Sequence, residues 1–466
     1  MDNVARPDVF VVPYGRSHLS FSLPDGVTGT LIESRSLPPI ADVSAAVRQL
    51  LASPTNSRPL RELARPGSRA CIVVTDVTRA CPDHLLVPPI LEELNAAGVP
   101  DQNITIVVAV GAHRASTYDE KVAKLGQDVV ERVRVVDPDA CDPATLVDLG
   151  QTQAGVPIVL SKLVLDTDLL VATGIVEPHQ YAGYSGGRKT VAIGVAGEKT
   201  IGYTHGPLFL DHPKTRLGNI DGNPFHEAVT EIARRAGLRF IVNVVADDNN
   251  RVVAVQAGEP EAAFMALVGE ARQLFTVPIA HAYDIAIGGV GYPKDANLYQ
   301  ASRAPSYLFF APQPVVRPGG IFITPALCQE GAGAGAGEQR FFRTMREAPS
   351  VAYILDHARK HGIAPGEQRA FVMAKVLEQN QVIIVGSQFP DVVREAKMIP
   401  AASMEEAFAI AQASLGKNLA ALIVPHALLT LPVISRPLPS PPGTADPNFP
   451  LAGRDNPSSP LPLREG

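Results

Sequence analysis

Continuous apolar runs alternate with amphipathic segments along most of this chain. Ala70–Thr75 (ACIVVT) predicts a strand buried on both faces. A helix is expected over Leu85–Ala97 despite Pro88 and Pro89, then strands at Ile104–Val110, Val133–Val136 and Leu169–Thr173. The rhythm restarts near Ala282. Tyr283–Gly288 (YDIAIG) predicts a strand, Asn297–Phe310 a helix, Ile321–Thr324 and Gln381–Gly386 strands, Met404–Leu415 a helix and Ala420–Val424 a last strand. Apolar runs of this length, separated by helical periods, imply mostly parallel sheets flanked by helices. The expected fold class is α/β with two such domains and an active site in the cleft between them. The expected division is residues 1–278 and residues 279–435, whose last part is free to pack back on the first domain. Residues 436–466 hold nine prolines and predict a disordered tail.

The polar residues gather where strands end. Asp76-Val77-Thr78-Arg79 follows the first strand, Gly111-Ala112-His113-Arg114 the second, and Glu177-Pro178-His179 the fourth. Open α/β sheets bind ligands outside the carboxyl ends of their strands. The order of elements therefore brings an acid, two imidazoles and several cations to one sheet edge. The other histidines outside position 205 (18, 84, 212, 226, 281, 357, 361 and 426) have no such context.

Composition narrows the function classes. At 466 residues and 46% hydrophobic, the chain can bury two sizeable cores. A formal charge of −6 without basic runs argues against a nucleic-acid partner. The segment MDNVARPDVFVVPYG lacks the apolar stretch of a signal peptide, and no apolar run reaches about 18 residues, the length that spans a bilayer. Four cysteines (71, 81, 141, 328) without paired metal spacing predict reduced thiols. A cytoplasmic protein without membrane contact is expected.

Residues 185–190, SGGRKT, nearly spell a phosphate-cradling loop, but that motif needs Gly before its Lys and Arg188 stands there. Gly186, Gly187 and Arg188 are instead expected to form an anion nest with Lys189 aimed at the bound group, Arg188 lowering the Lys189 pKa. The alternating glycines 331, 333, 335 and 337 break the dinucleotide-binding pattern at Ala336 and predict a loop near the cleft.

Taken together, DVTR (76–79), GAHR (111–114), EPHQYAGYSGGRK (177–189), His205 and YQASR (299–303) resemble the nickel-pincer lactate racemases and related 2-hydroxyacid racemases and epimerases. The likeness covers most of residues 10–430. It includes a spacing of ten from His179 to Lys189, sixteen from Lys189 to His205, and 66 from His113 to His179. What it implies is specific. The cofactor would be a nickel-pincer nucleotide (a nickel pyridinium-3,5-bisthiocarboxylic acid mononucleotide) joined covalently to Lys189, with His205 as the protein's nickel ligand. His113 and His179 would be the acid/base pair for reversible hydride transfer. Asp76, Thr78, Arg79 and the Gly186-Gly187-Arg188 turn would hold the mononucleotide. Gln300, Arg303, Arg114 and Tyr299 would contact a 2-hydroxyacid. Maturation proteins that make the cofactor are implied partners. The family pattern has Lys where this chain has Arg303, which widens the expected substrate to malate or a larger 2-hydroxyacid.

Other classes use the same residues. A 2-hydroxyacid oxidoreductase would bind NAD(P), but GxGxxG is missing. A phosphotransferase would use Lys189 and Asp76, with Arg188 counting against it. A non-catalytic relative would bind the hydroxyacid or cofactor alone.

Overall fold

The computed structural model describes residues 9–435 apart from 365; the expected Pro-rich tail lies outside the described residues. Buried apolar runs form the expected strands. Ala70–Thr75 and Leu169–Ile175 are buried at every position, as central strands of a covered parallel sheet require. The first sheet runs Val252–Gly258, Leu238–Ala246, Leu169–Ile175, Ala70–Thr75, Ile104–Ala109, Arg134–Val136. Every neighbouring pair is parallel except the hairpin at one edge, Leu238–Ala246 with Val252–Gly258. That hairpin, absent from the sequence-based expectation, turns at Asp247–Asn250. There Asp247 Oδ1 accepts the amides of Asn249 (3.0 Å) and Arg251 (2.8 Å), and Asn250 takes φ +59°.

The second sheet is parallel throughout, in the order Ile399–Ala401, Gln381–Val385, Val316–Pro325, Tyr283–Gly288, Leu419–Val424, Val27–Leu31. Its last member comes from far back in the chain. Val27–Leu31 belongs in sequence to residues 1–278 but pairs with Leu419–Val424 and forms that edge of the sheet. The lobes are further joined where Thr276–Ile279 pairs with Leu431–Ile434. The expected helix Asn297–Phe310 divides into Leu298–Ala301 and Arg303–Phe309. Of the alternating glycines, Gly331, Gly333 and Gly335 lie in the expected loop and only Gly337 enters the helix Ala336–Glu347, at whose start Glu338 accepts the Gly335 amide at 2.8 Å.

Among the described residues no helix is long and apolar enough to cross a membrane. Cys71, Cys81 and Cys328 are buried and Cys141 exposed, all as free thiols.

Candidate active site

The three polar clusters do meet at the carboxyl ends of adjacent strands, Leu169–Ile175, Ala70–Thr75 and Ile104–Ala109. Asp76 is buried just past its strand. Its Oδ2 lies 2.7 Å from His113 Nδ1, and its Oδ1 accepts the Thr78 hydroxyl at 2.7 Å. Burial alone would raise the Asp76 pKa, but these hydrogen bonds and the charges of His113 and Arg79 outweigh it and hold the carboxyl below its usual value. Gly111 sets up the partner. At φ +57° it turns the chain after its strand, and its amide reaches Gly194 O at 2.9 Å. An ionised carboxylate can only accept, so His113 donates from Nδ1 and keeps a lone pair on Nε2.

His179 is set up the other way. Its buried Nδ1 accepts the backbone amides of Tyr181 (3.2 Å) and Ala182 (3.1 Å), so the neutral ring carries its proton on Nε2. Burial, then the charges of Lys189, Arg79, His205 and Arg303, push its pKa well below 6.5. His205 places Nδ1 2.9 Å from Ile201 O and donates to that carbonyl, leaving Nε2 as a bare donor atom of the kind metals take. Burial and Lys189 lower its pKa to about 4. The rings of Tyr181 and Phe225 stand between the two imidazoles: Tyr181 lies 5.5 Å from each, and Phe225 lies 6.3 Å from His179 and 5.2 Å from His205.

Lys189 lies among these groups. Its amine makes no hydrogen bond or ion pair with any described residue. Burial lowers its pKa to about 7; Arg79 and Arg303 add to the shift, while Asp76 and Glu177 oppose it. The expectation that Arg188 does this is corrected. Arg188 turns away, its guanidinium 3.8 Å over the Phe264 ring and bonded to Thr230, in the packing behind the turn. The glycines serve that packing as well. A Cβ on Gly186 or Gly187 would press on Asn243, whose side-chain oxygen accepts the Gly187 amide at 3.2 Å. A tight strand-to-helix contact thus replaces the expected anion nest. Arg114 is also elsewhere, in a two-bond pair with Glu120 (2.8 and 2.6 Å) at the surface.

The second lobe completes the cluster. Arg303 lies within charge range of His179, Lys189 and Tyr181. Its buried Nε and the buried Gln300 Oε1 have no protein partner. Tyr299 packs edge-on against Phe341 at 5.6 Å beneath the buried Arg369. Segment 206–217, which follows His205, is bound to the second lobe. Asp211 pairs with Arg359 (2.9 Å) and Lys375 (2.8 Å), and the Leu217 amide reaches Phe310 O at 2.9 Å.

Both family models of lactate racemase match the chain, the N-terminal domain over residues 14–218 and the C-terminal domain over residues 279–431. Lactate racemase of Lactiplantibacillus plantarum is 34% identical over 387 residues, covering 82% of this chain and 89% of the relative. The chain belongs to the lactate racemase family. Lactate racemase of Thermoanaerobacterium thermosaccharolyticum is 31% identical over 418 residues, covering 89% of this chain and 96% of that one. The solved apoprotein from the same organism superposes with a TM-score of 0.81 at 29% identity, covering 91% of this chain and all of that one. A Thermotoga maritima protein shares the fold, with a TM-score of 0.63 at 20% identity.

Other residues of the lactate racemase-like site carried no sequence motif. Asp83 and Lys124 form a buried ion pair at 3.1 Å beneath the Asp76–Arg79 loop. Lys124 also donates to Arg79 O (2.9 Å) and Cys81 O (2.7 Å). Asp83 accepts the Thr75 hydroxyl at 3.0 Å and bonds Thr173 on the neighbouring strand. The pair thus ties two strand ends to the loop bearing Asp76. Removing one partner of a buried pair strands the other charge. Lys124→Met is expected to lose about 3–5 kcal/mol of stability, and Lys124→Met with Asp83→Asn to recover part of it. Calorimetric unfolding checks this; a single variant as stable as the parent would refute it. Gln180 is another such residue, with both amide atoms buried and without a protein partner beside His179. Its only sequence signal is that position.

Proposed function

We propose that this protein is a 2-hydroxyacid racemase or epimerase of the lactate racemase type, an isomerase whose proton chemistry is carried by His113 and His179. The observation that carries this reading is the opposite hydrogen-bonding state of two imidazoles in one cluster. His113 offers a lone pair on Nε2, and His179 offers a proton on Nε2. Racemisation needs proton handling on either side of a planar intermediate, and imidazole is the side chain suited to it near neutral pH.

The residues present fit a nickel-pincer mononucleotide. Among the described residues no group of three or more His, Cys, Asp or Glu could hold an ion unaided. A metal that arrived with sulfur and carbon donors would need one protein ligand, and His205 Nε2 would supply it. Lys189 offers an unbonded amine with a pKa of about 7 for the covalent link. With Arg188 and the glycine turn committed to packing and the Thr78 hydroxyl given to Asp76, Arg79 would be left to hold the phosphate. When bound, such a cofactor supplies an electron-poor carbon that accepts and returns a hydride.

In one substrate orientation, His113 Nε2 takes the hydroxyl proton and Asp76 stabilises the resulting imidazolium. His179 Nε2 donates a hydrogen bond from the other side. Arg303 and Gln300 hold the carboxylate. In the mirror orientation His179 takes the proton, which requires its ring to release the amides of Tyr181 and Ala182. Maturation proteins that supply the cofactor are the expected partners.

Protein made together with those maturation enzymes, given a single enantiomer of lactate or malate, should bring one of these substrates to a 1:1 mixture without added NAD(P). Chiral chromatography follows the mixture. Net oxidation to the keto acid that depends on NAD(P) would replace this reading with an oxidoreductase.

A further inference from the structure

The second lobe brings two cations to the cleft, and the reading above uses only Arg303. The other, Lys294, lies in the loop between Gly291 and Asn297, just ahead of the helix that carries Gln300. This loop is held on several sides. The Tyr292 amide reaches Gly15 O at 2.9 Å, and the Cys328 and Glu330 amides reach Asp295 O and Ala296 O at 2.8 Å. Asp295 is buried, its Oδ2 bonded to the Gly15 amide, and Asn297 Oδ1 accepts the Gln300 amide at 3.0 Å. The stem of Lys294 therefore starts from a fixed backbone.

The Lys294 ammonium has no hydrogen bond or ion pair with any described residue. It is half-buried, within charge range of Arg303, Arg79, Glu177 and Asp76. Burial, then the two guanidiniums, lower its pKa to about 8. Arg303 is incompletely partnered as well, with its buried Nε lacking an acceptor. Of the two nearby acids, Asp76 is already bonded to His113 and Thr78. Two like charges brought together half-buried are unfavourable unless an anion bonds both, and Glu177, the other nearby acid, is bonded to neither.

We propose that Lys294 and Arg303 together receive the two carboxylates of a 2-hydroxydicarboxylate, making malate-type acids the preferred substrates of this chain. The proposal rests on the racemase reading and adds the substrate class to it. Arg303, planar and forked, takes the carboxylate next to the reacting carbon together with Gln300. Lys294, a compact point charge, takes the distal one.

The test compares kcat/KM for malate and lactate in loaded wild-type, Lys294→Met and Lys294→Arg protein, with calorimetric binding of both acids to the same preparations. A charged hydrogen bond lost at one carboxylate corresponds to about 10- to 100-fold. The malate-to-lactate ratio is expected to fall by that factor in Lys294→Met, mainly through KM, and to return in large part in Lys294→Arg. A ratio changed by less than about 3-fold, with both substrates falling together, would overturn the proposal and assign Lys294 to the shared carboxylate or to the cofactor. A wild-type preference for lactate would also overturn it. If neither acid is racemised while malate binds more tightly than lactate, and only when Lys294 is present, the racemase reading fails and the two-cation receptor stands.

Discussion

Asp76→Asn is expected to lower racemisation by about 10³- to 10⁴-fold while leaving the protein folded and its nickel content unchanged. The carboxylate accepts from His113 Nδ1 at 2.7 Å, which puts the lone pair on Nε2, facing away from Asp76. An Asn amide can present its NH₂ group to the ring, drawing the Nδ1 lone pair and moving the proton to Nε2. The base is then blocked by its own tautomer, an effect of about 10⁴-fold in a serine protease triad. The side chain keeps its shape, and Thr78 can still donate to the remaining oxygen. His179→Ala should cost a comparable factor, within the range of about 10²- to 10⁴-fold for a lost general acid or base. Steady-state kinetics with metal analysis checks both. Loss of nickel in His179→Ala would mean that ligand and base have been interchanged, loss of nickel in Asp76→Asn would assign Asp76 to holding the cofactor, and a near-parental rate in Asp76→Asn would remove His113 from the proton path.

Lys189→Ala is expected to abolish activity to background, because on the proposed reading Lys189 is the point where the cofactor is joined. The unmodified amine should also react at unusually low pH. Burial first, then Arg79 and Arg303, bring its pKa to about 7 against an ordinary 10.5. A lowered pKa means that the neutral, nucleophilic form predominates above pH 7, where other lysines remain protonated. Labelling of cofactor-free protein with an amine reagent should reach half its maximal rate at position 189 near pH 7. Half-maximal labelling near pH 10 would show that the amine is solvated and unprepared.

Much of this was legible in the sequence because parallel strands buried on both faces read as unbroken apolar runs. Tyr283–Gly288 and Ala70–Thr75 were located to the residue. Strand ends fix which polar residues meet, so the order of elements alone gathers Asp76, His113 and His179 at one edge. Side-chain direction was not legible. Arg188 and Lys189 are neighbours on a helical turn, and only packing decides which faces the cleft; the Phe264 ring took the guanidinium. Arg114 was claimed by Glu120, six residues on, through a helix cap that the GAHR motif does not reveal. The pairing of Val27–Leu31 with Leu419–Val424 joins the two ends of the chain, and local periodicity carries no information about so distant a partner. Lys294 and the Asp83–Lys124 pair depend on the same kind of long-range convergence.

The central claim is that Lys189 is the point where a nickel-bearing ring joins the protein amid His113, His179 and His205. Peptide mass mapping of racemising protein, produced together with the maturation enzymes, tests this most directly. The peptide containing Lys189 should carry the mass of the cofactor in wild type and lose it in Lys189→Ala. Fully active protein with an unmodified Lys189 would contradict the account.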